Sequence, residues 1–445
     1  MAEQLLVRMF DVGLGDCIYV RVPDKGKDVH ILIDCGNKFS GMDLLQDAIT
    51  SLENELPKNS DGTRNLDLLV VTHPHEDHHK GFEPDIFKNL KIKNIWLSPA
   101  FCELDEKCKK DSKGSKGLRT LQAMAQKSLS RMVEVSPAGE TKEYLEDVLL
   151  SLSKAEAFNE LNRNLPKRNG IKPKYVTADF KYDKDFTPQD VLRLFKDPTT
   201  RIKILGPMSD IDKYYLSGNG QPLHLALGAD GSPDIHRENP DLIMEMKPPR
   251  NISSQDFDLL RRGIQGNALA MASIVGHAVN NLSVVLLLEW KGNRLLFPGD
   301  AEWEGSKIEI KPNGGNGSWN VMWATQQQEL SKPLNFLKVG HHGSVNATPW
   351  AKGHPISQVL DHLLPVPKGK KKNKARAVVS TQRSSRWPSI PDPTLLMEIG
   401  ARVNNAKDDY TGDKKINKGI LQPERTDQER LKRQKKWIDV TFPIK

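Results

Sequence analysis

The chain has 445 residues, 27% charged and 37% hydrophobic, with a formal net charge of +8. That length is too great for one small core and predicts one large domain with insertions, or two domains. No apolar run nears the roughly 20 residues that span a bilayer, the best, Ser283–Leu288, being strand-sized. The opening MAEQLLVRMFDVG has neither the basic nor the apolar region of a secretory signal, so none is expected. Four cysteines are too few for a disulfide framework, and a reducing cytoplasm is the expected setting. Cys17 and Cys35 read as buried thiols, and Cys102 and Cys108 are spaced widely for a zinc pair. The positive balance favours polyanionic partners.

Residues 5–10, 17–22 and 29–34 predict three short strands, separated by turns rich in Gly, Asp and Pro. A helix follows near 41–54, where Leu44, Leu45, Ala48, Ile49 and Leu52 fall on one face. Residues 55–66 read as a polar loop, 67–72 as an apolar strand and 91–97 as another. Helical periods with charged outer faces predict a mostly helical insertion over 102–200. Residues 202–207 return to strand, and 208–275 read as a second, loop-rich insertion. A hairpin is expected from 282–289 and 294–298 across Lys291-Gly292-Asn293. Strands at 335–339 and 376–380, a helix at 394–400, a basic helix at 424–436 and a last strand at 437–444 complete the chain. The core then comprises 1–101, 201–207 and 276–445. Strands alternating with helices after an opening meander predict an α/β layered sheet.

The apolar run Leu68–Val71 gives way to four histidines and two acids within seven positions: His73, His75, Glu76, Asp77, His78 and His79. Polar groups at the mouth of a core are costly, and a metal ion is the usual compensation. Glu76 is expected to face solvent, and His79 to be structural or exposed rather than a ligand. Other strands end alike. The strand at 29–34 ends in Asp34-Cys35-Gly36, that at 294–298 in Gly299-Asp300, and that at 335–339 in Gly340-His341-His342-Gly343-Ser344. Gly276-His277 stands just before 282–289. Imidazoles and carboxylates gathered from several strand ends are what a binuclear site requires.

THPHEDHH, with LIDCG before it and FPGDAE and VGHHGS after it, resembles the metallo-β-lactamase superfamily. More narrowly, FDVGLGD, NNLSVVLLLEWKGNRLLFPGDAE and LKVGHHGS resemble the soluble hydrolase domain of the ComEC competence proteins. The likeness covers 1–100, 202–207 and 276–400, and not the two insertions. It implies an αββα sandwich with a two-metal site at one edge. Carried over position by position, it makes His73, His75 and His277 ligands of the first metal, Asp77 and His78 ligands of the second, and Asp300 the bridge, with one of His341 and His342, His342 by preference, completing the second site. The other of the two, His341 on that preference, would face the substrate as a phosphate contact or general acid, and Asp34 would steady the histidine loop by hydrogen bonds. Asp77, His341 and Asp34 are thus the residues expected to serve catalysis. Two departures stand out. The ComEC-like phrase around Asn280-Asn281 often lacks a histidine at the place of His277. The loop STQRSSRWPSIPDP has no histidine where the family commonly carries a histidine-proline pair.

The resemblance implies a hydrolase using two divalent ions, zinc or manganese, whose shared hydroxide attacks the substrate. With the positive charge, it points to a phosphodiesterase cleaving nucleic acid, DNA foremost. The alternative is a hydrolase of small substrates: cyclic nucleotides, phosphodiesters or lactones. Lys370, Lys371 and Lys372, in the tract KGKKKNKAR with six basic residues in nine, are candidate nucleic-acid contacts. So are Arg383 and Arg386, beside Trp387. ComEC proteins carry this domain beside a transmembrane channel. Without a membrane part, this chain is expected to act in solution or within a larger protein assembly.

Overall fold

The computed structural model describes residues 3–38, 40–102, 115–135, 155–179, 194–216, 275–312, 314–367, 374–381, 389–403, 420–421 and 436–444, with 145, 149 and 272. The architecture is mixed α/β. The first sheet takes, in spatial order, β15 (Trp437–Pro443), β1 (Gln4–Phe10), β2 (Cys17–Val22), β3 (Val29–Cys35), β5 (Leu68–Val71), β7 (Ile95–Leu97) and β8 (Lys174–Tyr175). A second sheet takes β14 (Ile420–Leu421), β13 (Arg376–Val378), β12 (Phe336–Lys338), β11 (Asn293–Phe297), β10 (Val285–Trp290) and β9 (Arg201–Gly206). A small parallel pair joins β4 (Arg64–Leu66) to β6 (Leu90–Ile92).

Side chains of alternate residues leave a strand on opposite faces, and the buried residues divide accordingly. Val7, Met9, Ile18, Val20, Ile31, Ile33 and Val70 of the first sheet share one core with Leu286, Leu288, Phe297 and Phe336 of the second. The other face of the first sheet, through Tyr19, Leu32, Leu69 and Val71, packs on Leu45, Ile49 and Leu52 of helix α1 (Met42–Glu55). The other face of the second sheet, through Val285, Leu287, Leu296 and Leu337, packs on a separate set of helices. Helix α2 (Glu76–His79) is the short turn that follows β5. Helix α3 (Ser115–Val135) buries Leu118, Ala125, Leu129 and Met132 against residues including Met208, Ile211, Val275 and Val279.

Several expectations change in detail. The strand predicted at 91–97 is two strands in different sheets: β6 pairs with β4 and β7 with β5. Lys93-Asn94 makes the break, and Lys93 Nζ and Asn94 Nδ2 both donate to Asp67. The loop predicted at 55–66 contains β4. Among the helices without a counterpart in the sequence reading are α4 (Ser318–Leu330) and α5 (Ser357–Leu363), both under the second sheet. The helix expected at 394–400 is α6 (Pro393–Arg402), capped by Asp392 Oδ1, which accepts from Leu395 N. The predicted hairpin forms with Lys291 and Gly292 as a two-residue turn, both at positive φ, 45° and 76°. The basic helix expected at 424–436 lies outside the described residues save Lys436. No helix among the described residues is long and apolar enough to cross a membrane. Cys17 and Cys35 are free and buried. Cys102 is disulfide-bonded, which removes its thiolate from any zinc pair.

Candidate metal centre

The two facing sheets are bonded to each other at the end of the sandwich where the motif-bearing strands end. Val284 N donates to Thr72 O at 2.9 Å, and Ser98 Oγ to Leu282 O at 2.6 Å. Into this seam the first sheet sends the ends of β3 and β5, and the second sends the ends of β11 and β12.

The end of β3 is bent by a bulge. Cys17 pairs with Cys35 but Ile18 with Ile33, so Asp34 is left out of the ladder, at φ 58°. Bulges beside sites commonly re-aim a side chain in this way. Here the Asp34 carboxylate accepts from Thr72 N and Thr72 Oγ1, both at 2.7 Å, and from His78 Nδ1 at 2.8 Å. That fixes the His78 ring with Nε2 pointing into the seam, 3.2 Å from Asp300 Oδ1 but out of hydrogen-bond alignment. Gly36 is needed for the approach of α2: a Cβ there would lie 2.5 Å from Asp77 C and from His78 N.

His73 is oriented likewise. Its Nδ1 lies 3.1 Å from Thr72 Oγ1 and 3.2 Å from Ser283 Oγ. Its Nε2 faces His75 Nδ1 at 3.1 Å and Asp300 Oδ2 at 3.6 Å. Ser283 Oγ also accepts from Asp300 N at 3.0 Å, tying the first imidazole to the shared carboxylate. From β12, His342 places Nε2 3.0 Å from Asp77 Oδ2 and Nδ1 3.0 Å from Ser380 Oγ. His341 and His342 both hold left-handed backbone, at φ 42° and 52°. Such backbone costs on the order of 1–3 kcal/mol per residue and collects at functional sites.

These side chains form two groups able to hold a cation, His73–His75–Asp300 and Asp77–His78–Asp300–His342, with ligand atoms in each within 4.8 Å of one another. Asp300 is common to both. Both of its oxygens and His78 Nε2 are buried without a hydrogen-bond partner, although buried polar atoms are nearly always paired. Divalent ions therefore fit the donors present. The field agrees. Burial holds His73 well below the usual imidazole range and His75 at about 4, the neutral form that ligates. Burial would also lower His78, but Asp300 and Asp34 outweigh it and raise it well above that range. The pocket thus draws positive charge to this point.

His277 falls in neither group. Its Nδ1 donates to Glu302 Oε2 at 2.6 Å, its side chain is 56% exposed, and Glu302 also accepts from Asn280 Nδ2 at 2.8 Å. The same carboxylate lies 3.4 Å from His341 Nδ1, and His341 Nε2 lies 3.6 Å from Asp300. The buried Glu302 therefore stands between an inner and an outer imidazole. Glu76, expected in solvent, is buried and salt-bridged to Lys80. His79 is buried with Nδ1 donating to His75 O at 2.6 Å. Asp34 is 0% exposed and so can reach no substrate. Lys370, Lys371, Lys372, Arg383 and Arg386 lie outside the described residues.

Asp16, Ser283, Glu302 and Lys338 are among the residues at the seam that were not singled out from the sequence. Their signal was present but faint. Each lies inside a quoted phrase, FDVGLGD, NNLS, FPGDAE or LKVGHHGS, and Lys338 is an ammonium in an otherwise apolar strand. The chain matches no protein-family model, and no curated protein matches it.

Proposed function

We propose that the chain is a binuclear metal-dependent phosphodiesterase of the metallo-β-lactamase type that cleaves nucleic acid, DNA foremost. Two facing sheets with helices on both outer faces fit the αββα sandwich of that superfamily. The observation that carries the reading is Asp300, one buried carboxylate common to two His/Asp groups drawn from both sheets. His73, His75 and Asp300 would hold one ion, and Asp77, His78, His342 and Asp300 the other. Two divalent ions, Zn²⁺ or Mn²⁺ with these donors, would supply an acidified water and charge stabilisation at a phosphoryl oxygen.

The chain's own residues do the rest. Asp34, Thr72, Ser283 and Ser380 fix ring orientations before any substrate arrives. His341, with its side chain 24% exposed, reaches the mouth. Burial would lower its pKa, yet Asp300 and Glu302 outweigh it and raise it to about 9. From there the imidazole would meet a phosphate oxygen or the leaving oxygen of a bound substrate. The net charge of +8 favours a polyanion over a small neutral substrate.

The test is cleavage of single- and double-stranded DNA and RNA with Mn²⁺ or Zn²⁺, comparing the wild type with His73→Ala and Asp300→Asn. Metal-dependent cleavage that both changes abolish is expected. Cleavage surviving both would dismiss the site. Hydrolysis of cyclic nucleotides or lactones with no cut in any nucleic acid would move the substrate class.

A further inference from the structure

Behind the second group lies a pair of charges that the chemistry above does not use. Lys338, the last residue of β12, is 1% exposed, and so is Asp16, just before β2. Lys338 Nζ and Asp16 Oδ2 form a contact ion pair. Both stand on the inter-sheet side of their strands: Lys338 is two residues from Phe336 and Asp16 two from Ile18, and both apolar residues belong to the core between the sheets. The pair therefore spans the seam from one sheet to the other.

Its surroundings are specific. Asp16 Oδ2 lies 3.8 Å from His78 Nδ1, and Asp16 Oδ1 lies 3.9 Å from His342 Nδ1. One carboxylate thus backs both imidazoles of the second group, one from each sheet. Its backbone holds the same parts: Asp16 N donates to Asp77 O, and Gly36 N donates to Asp16 O, both at 3.0 Å. Asp16, Asp34 and His78 would by themselves make a third cluster able to hold a cation, and the Lys338 ammonium already occupies its Asp16 carboxylate.

Stability does not explain such a pair. Two charges taken out of water lose hydration that their attraction seldom repays, and apolar side chains of similar volume serve a core as well or better. We propose that Asp16 and Lys338 are a positioning pair that sets how His78 and His342 face each other across the seam, and so the affinity of the second group for its metal. The inference rests on the two-metal reading above. Lys338 is a resident cation in this arrangement: it fixes Asp16 behind the imidazoles and keeps a third ion out.

The test is Zn²⁺ titration in competition with a chelator, on wild type, Lys338→Met and Asp16→Asn/Lys338→Met, beside denaturant unfolding of the metal-free proteins. Lys338→Met alone strands a buried carboxylate and can fail to fold, whereas the double variant leaves no single buried charge. We expect the double variant to unfold near the wild-type midpoint. It should bind one Zn²⁺ with wild-type affinity and the second about 10- to 100-fold more weakly, the usual effect of losing an outer partner of a ligand. A role in the fold alone would move the unfolding midpoint without splitting the two constants. Unchanged constants, equal weakening of both, or a double variant that no longer folds overturn the inference. A wild type binding fewer than two Zn²⁺ dismisses the two-metal reading as well, and so separates the two failures.

Discussion

At the scale of single residues, the centre is built by side chains whose outer atoms are occupied so that their inner atoms are aimed. Asp34 holds both Thr72 donors and His78 Nδ1. Asp34→Asn replaces one accepting oxygen with a donor and cannot keep all three bonds. Metal affinity should fall about 10- to 100-fold while far-ultraviolet circular dichroism is unchanged, and chelator competition measures it. Wild-type affinity would show that the orientation of His78 does not depend on Asp34. His277→Ala makes the opposite case. Because His277 Nδ1 is bound to Glu302, elemental analysis should find the full metal complement in that variant. Loss of one ion would return His277 to the first metal.

At the scale of elements, the approach of α2 to the end of β3 decides whether the ligands meet. Gly36→Ala drives a methyl group against the backbone of Asp77 and His78, so α2 must move away from the seam. The variant should fold and lose metal at the second group first, which the same competition resolves. Two metals held with wild-type affinity would mean that the contact relaxes without cost to the site. The elements themselves were unevenly legible in the sequence. His73, His75, Asp77, His78, Asp300 and His342 could be read because strand ends that turn from apolar residues to imidazoles have few structural explanations. Helix α4 could not. It buries Ser318, Trp319, Asn320, Val321 and Met322 in a row and then turns polar through Thr325, Gln327 and Gln328, so apolar and polar residues fall in blocks and show no helical period. The 91–97 run hid its break because Lys93 and Asn94 serve Asp67 through side chains, which strand propensity does not register. His277 has the spacing to the next strand of a ligand, but its partner in the structure, Glu302, comes from another loop, which spacing does not register.

At the scale of the whole molecule, one core between two sheets holds the half-sites in register. Phe336 is 0% exposed within it, two residues from Lys338. Phe336→Ala should cost about 3–5 kcal/mol, read from denaturant unfolding of the metal-free protein. A loss below about 1 kcal/mol would mean that the core collapses onto the gap. Because both groups join residues of opposite sheets, metal should also clamp the sheets together. Free metal at a hundred times its dissociation constant would add about 2.7 kcal/mol, and an unfolding temperature indifferent to chelator would argue against such a clamp. The most direct measurement is anomalous X-ray diffraction at the metal absorption edge from metal-loaded crystals. Two peaks are predicted, one among His73, His75 and Asp300 and one among Asp77, His78, His342 and Asp300. A single peak, none at this seam, or one coordinated by His277 would contradict the binuclear site.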